Sequence, residues 1–140
     1  LAFDPQNVKV RLRLCELSQQ LGNQDAAVEY CREVTLRAPG WVEGWHVQGR
    51  IHFLRGDFAA AQQSLYRCAT LAVTQDIPIE QRPFECWYLQ GQAAEILGDC
   101  ESLLTAYNEF QSMAVVADLP QTWTFPPEGP PICATATPGS

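Results

Sequence analysis

Trp45-His46-Val47-Gln48-Gly49 and Trp87-Tyr88-Leu89-Gln90-Gly91 are two copies of one phrase, and each is followed seven residues later by a glycine and an aspartate, Gly56-Asp57 and Gly98-Asp99. Upstream, Leu21-Gly22-Asn23 stands in weaker form for Leu54-Arg55-Gly56-Asp57. Gly22 to Gly56 is 34 residues, as is Pro5 to Pro39, whereas Gly56 to Gly98 is 42. Eight extra residues therefore lie between the second and third copies. Self-similarity at such a period marks an array in which each unit buries its apolar face only by stacking on its neighbours.

Within each copy the apolar spacing is helical. Val10, Leu14, Leu17 and Leu21 predict the buried stripe of a first helix over about 6–21, entered at Pro5 and broken at Gly22-Asn23. Asp25 is the expected cap of a second helix to Arg37 that buries Ala27, Val28, Cys31 and Val34 and stops at Pro39. Helix three, 41–54, carries Trp41, Trp45, Gly49 and Phe53 on one strip. Gly49 costs about 1 kcal/mol against alanine inside a helix, so a close helix crossing is expected there. Helix four, 58–73, has Ala61, Leu65, Cys68 and Ala72 in helical register. Pro78 and Pro83 bound an insertion at 74–82 that cannot be continuous helix. A fifth helix from about Pro83 and a sixth after Asp99 complete the pattern. From Pro120 onward the chain holds six of its ten prolines, which reads as an extended segment, neither helix nor central strand.

Composition narrows the function. A net charge of −7 argues against nucleic acid, whose binding rests on Lys and Arg neutralising phosphates, and against anionic membrane surfaces. No apolar run reaches the roughly 18–20 residues of a membrane span. The six cysteines show no C-x-x-C and no Cys–His cluster, so no metal and no cofactor is expected. Lying on helical patterns, they read as buried free thiols, which predicts a reducing intracellular, cytoplasmic setting. His46 and His52 are about 240° apart on a helix, and no catalytic motif is present, so no enzyme activity is expected.

Units of 34 residues with these residue types resemble the tetratricopeptide repeat (TPR) family. The likeness rests on Trp45, Gly49, Gly56, Asp57, Phe58, Ala61 and Leu65 in the second copy, and on Trp87, Gly91, Gly98, Asp99 and Tyr107 in the third. The first copy keeps Leu14, Gly22, Ala27 and Pro39, with Arg11 in place of the Trp and Cys15 in place of the glycine. Gln48 and Gln90 stand where the family has Leu, and the two later copies lack the closing Pro. The resemblance implies an all-α, TPR-like solenoid of three antiparallel helix pairs over residues 1–119, with repeats at about 5–39, 40–73 and 83–118. An extended Pro-rich segment, 120–140, follows. Residues 1–5 look like the end of a preceding helix, so a piece of a longer protein is expected.

The resemblance further implies a non-catalytic scaffold or adaptor whose concave face, lined by the first helix of each pair, takes a peptide or a partner helix. Leu12, Glu16, Val47, Glu85 and Leu89 hold the positions where heat-shock co-chaperones grip an acidic tail, and that partner is disfavoured. The expected lining is Lys9, Arg13, His46, Arg50, Phe53, Tyr88 and Gln92, with Arg50 and Tyr88 foremost. Trp123 and Phe125 are candidates to dock the tail back on the repeats as a cap or internal ligand. Self-association through the open ends of the array is the other alternative.

Overall fold

The computed structural model describes residues 5–118, 123–126 and 129–135. Six long helices follow one another: α1 (Pro5–Gln20), α2 (Gln24–Arg37), α3 (Val42–Leu54), α4 (Phe58–Thr74), α5 (Glu85–Leu97) and α6 (Cys100–Val116). A single 3-10 turn, Ile79–Gln81, sits in the insertion, and there is no strand among the described residues. Each long helix packs on the next, and α3 also touches both α1 and α5.

The repeat is visible in how the helices turn. Gly22, Gly56 and Gly98 close the first helix of each copy with φ of +81°, +83° and +74°, a left-handed conformation that glycine adopts without the Cβ clash. The next residue, Asn23, Asp57 or Asp99, turns its side chain onto the N–H three residues on, at 3.3, 3.3 and 3.2 Å. The cap of α2 is thus Asn23; the expected Asp25 lies inside the first turn, where its charge faces the positive helix end. Pro39 stops α2, but Val73 and Val115 at the equivalent positions allow α4 and α6 to run on. These two helices end beside Asp76 (φ 53°) and Asp118 (φ 56°), again equivalent residues.

The core forms where paired helices approach most closely. A Cβ built on Gly49 would meet Leu65 Cδ2 at 2.6 Å and the Leu65 backbone N at 3.3 Å, so α3 and α4 touch only because that residue has no side chain. Cys15 and Cys31 occupy the same two positions in the first copy. There the crossing is closed by a disulfide, with a Cα separation of 5.4 Å. Cys68–Cys86 ties α4 to α5, and Cys100–Cys133 ties α6 to the tail. The expectation of free thiols is therefore wrong. Two close helix crossings and a returning tail bring the sulfurs together. With all six cysteines paired, the case for a reducing compartment loses its basis.

Two further expectations need correction. The stripe Val10, Leu14, Leu17 and Leu21 is not the buried face of α1: these residues are 51%, 36%, 36% and 84% exposed. The buried set is Val8, Leu12 and Cys15, which faces α2 and α3. Periodicity found a helix with two apolar stripes and chose the one that lacks a neighbour. In the tail, Pro131–Thr135 forms a short helix, α7, where only extended chain was expected. Pro131 opens it at the one helical position where a missing N–H is harmless.

Candidate functional site

α1, α3 and α5 carry the residues singled out for binding. Lys9 and Arg13 on α1 are exposed, and neither has a salt-bridge partner among the described residues. Leu12 and Val47, assigned to the same face, are buried in the first core cluster and are not available to a ligand.

His46 and Arg50 are drawn into a polar clasp between α3 and α5. His46 Nε2–H donates to Glu85 Oε1 at 2.7 Å, and Arg50 Nε–H donates to the same oxygen at 2.8 Å. His46 Nδ1 is 3.6 Å from Glu43, an ionic approach too long for a hydrogen bond. Burial would lower the His46 pKa, but the carboxylates of Glu43 and Glu85 outweigh it and raise the value above that of ordinary imidazole. Burial likewise pushes Glu85 up, and its hydrogen bonds from Arg50 and His46 more than reverse this. Glu43 is held low chiefly by His46, against the opposing effect of burial. Arg50 and His46 are therefore tied to two carboxylates across adjoining helices. That arrangement sets the spacing of α3 and α5 and leaves Arg50 committed to an internal partner.

Tyr88 and Gln92 lie further along α5. Gln92 is half-buried, and Tyr88, 40% exposed, meets the Trp123 ring edge-on at 5.3 Å. Phe53 is half-buried against Phe58 at 5.2 Å and belongs to the second core cluster. Sequence reasoning had no way to weigh the Arg11–Glu33 bridge, 2.7 Å, which joins α1 to α2 where the other copies have a tryptophan.

Trp123 is only 6% exposed. Its ring lies against Gly91, so closely that no Cβ could be added there, and meets Tyr88, Tyr107 and Phe110 at centroid distances of 5.1–5.3 Å. Gln111 Nε2–H donates to the Trp123 carbonyl. Phe125 packs on Tyr107 at 4.8 Å, and Ile132 joins the same cluster. Gly91 is the equivalent of Gly49. The void that Leu65 fills in the second copy is filled in the third from the tail, while Tyr107, at the Leu65 position, meets the indole ring at 90°.

No protein-family description and no curated protein matches the chain. Among solved structures that match, the crystal structure of MamA, a TPR-like protein, superimposes with a TM-score of 0.64 at 21% identity, over 79% of this chain and 60% of that one. The chain thus spans about three fifths of that structure's length. No helix among the described residues is long and apolar enough to cross a membrane. At this identity the likeness carries the fold alone: the chain has an all-helical, TPR-like fold.

Proposed function

We propose that this chain is a non-catalytic protein-interaction module, a TPR-like solenoid of three helix pairs that takes an extended peptide or partner helix on the face made by α1, α3 and α5. The observation that carries the reading is the side-by-side contact of these three helices, with Lys9 and Arg13 exposed at one end and in no salt bridge among the described residues. Tyr88 and Gln92 lie towards the other end. With His46 and Arg50 engaged by Glu85, binding energy shifts to Lys9 and Arg13, which favours an acidic residue in the ligand. The three disulfides support an oxidising compartment as the working environment. A Lys9→Glu/Arg13→Glu variant tests the reading: partners captured by wild type should be lost. Equal recovery would remove this face from consideration.

A second reading, a tail-capped or self-associating regulatory domain, draws on the two ends of the array. Trp123 covers the exposed side of α5–α6, as the next helix would in a longer solenoid. At the other end the Val10, Leu14, Leu17 and Leu21 stripe is open to solvent, and end-to-end contact between two copies would bury it. Sedimentation at increasing concentration separates a monomer from such a pair.

A further inference from the structure

A groove runs between α4 and α6, above the part of α5 that lies beneath both. Its first section, about 290 Å³, reaches Asp99 and Ser102 at one end. Its middle, about 240 Å³, shares Tyr66 and Gln90 with the first. Its last, about 400 Å³, shares Val73 and Glu109 with the middle and ends at Arg82 and Met113. From Gln62 to Val73 this is about 17 Å at 1.5 Å per helical residue, the length of roughly five residues of extended chain.

The floor of this groove carries an unexplained polar group. Gln90 is 6% exposed as a residue, lines the groove, and makes no side-chain hydrogen bond among the described residues. Its repeat equivalent, Gln48, has a buried Oε1 without a partner among the described residues. Both stand where the family resembled has leucine, which would fill the space with no polar group to satisfy. The Gln90 amide opens on the groove, where water or a ligand can complete it. Its acceptor and donors match the N–H and C=O of one residue of an extended peptide.

The charges on the groove walls choose among peptides. Hydrogen bonds from Ser102 (side chain, then backbone N–H) and from Gln62 keep Asp99 below the usual carboxylate range, and so anionic. Glu109, on the groove wall, accepts from the Trp87 indole at 2.9 Å. Arg82, the cation among the described lining residues, donates to the Ile77 carbonyl at 2.8 Å and to Met113 Sδ at 3.7 Å. All three bond neutral groups, so two carboxylates stand against one guanidinium along the groove.

We propose that the α4–α6 groove is a second binding site. It takes an extended peptide of about five residues, whose main chain pairs with the Gln90 amide and whose Lys or Arg side chain lies near Asp99 and Glu109. This site is separate from the α1–α3–α5 face, and either can fail without the other.

The test uses an array of random heptapeptides, acetylated and amidated to remove terminal charge, probed with the full-length wild-type chain and with Gln90→Leu. Leucine suits the repeat, so this variant should melt at or above wild type; Gln90→Met provides a second apolar replacement. Wild type should select peptides bearing Lys or Arg. Their solution affinity should fall at least tenfold in both Gln90 variants and remain unchanged in Lys9→Glu/Arg13→Glu. Equal affinity for the Gln90 variants, selection of acidic peptides, or an array with no retained peptide would each overturn the proposal.

Discussion

Replacing Trp123 by alanine tests whether the tail is part of the folded unit. The indole is 6% exposed, touches four aromatic rings and fills the space above Gly91. Truncating a buried Trp or Phe to alanine destabilises by about 3–5 kcal/mol, the spread reflecting how far the site can collapse. Here the socket is bounded on one side by a segment free to settle inward, so the lower figure, about 3 kcal/mol, applies. The Cys100–Cys133 bond holds the chain nearby and does not refill the socket. At roughly 2.1 cal/mol/K per residue the entropy of unfolding is about 0.29 kcal/mol/K, so the midpoint should drop by about 10 °C. Calorimetry and urea titration of the oxidised protein measure both quantities. A loss under about 1 kcal/mol with an unchanged urea slope would refute the reasoning and make the tail an appendage.

Three other perturbations have definite outcomes. His46→Gln should remove a pH-dependent component of stability. The raised His46 pKa contributes fully below about 6.5, the unfolded value, and is lost as pH rises through the folded value. The lowered values of Glu43 and Glu85 act in the opposite sense, their contribution being lost as pH falls through them. His52, lowered by burial, favours higher pH and is common to both proteins. The difference between variant and wild type, read by urea titration, should therefore shrink from pH 6 to pH 8; a flat difference contradicts the clasp. Gly49→Ala should destabilise by about 1–2 kcal/mol, since overpacking against Leu65 exceeds the roughly 1 kcal/mol gained in helix propensity; a stabilised variant would deny the close crossing. Under a mild dithiol, Cys100–Cys133, partly exposed, should open before the two bonds whose four cysteines are 0% exposed, as alkylation and mass spectrometry would record.

The repeat made the helices legible, because Gly22, Gly56 and Gly98 and the capping residues behind them are local signals. The Gly49 crossing was equally readable, since a helix-interior glycine asks for a reason. What escaped lies in relations between elements. Cys15 and Cys31 sit almost symmetrically about the turn at Gly22-Asn23, as do Cys68 and Cys86 about the insertion. That symmetry is the signal of residues facing each other across a helix hairpin, and a motif search for C-x-x-C passes over it. α1 presents two apolar stripes, and only the position of α2 and α3 decides between them. Trp123 stands out in the sequence by its aromatic character among prolines, behind a last repeat whose apolar face needs cover. That it enters the place of a missing side chain at Gly91 depends on the return path of the tail. For the proposed binding face, sequence position offers a set of helix residues, but the Glu85 clasp, which engages Arg50, pairs residues 35 apart.

The most direct test of the binding face is photo-crosslinking with benzoylphenylalanine placed at Arg13 on α1, at Gln92 on α5, or at the 68%-exposed Leu36 on α2. The account predicts adducts to a common partner from positions 13 and 92 and none from 36. Adducts from 36 with none from 13 or 92 would contradict it.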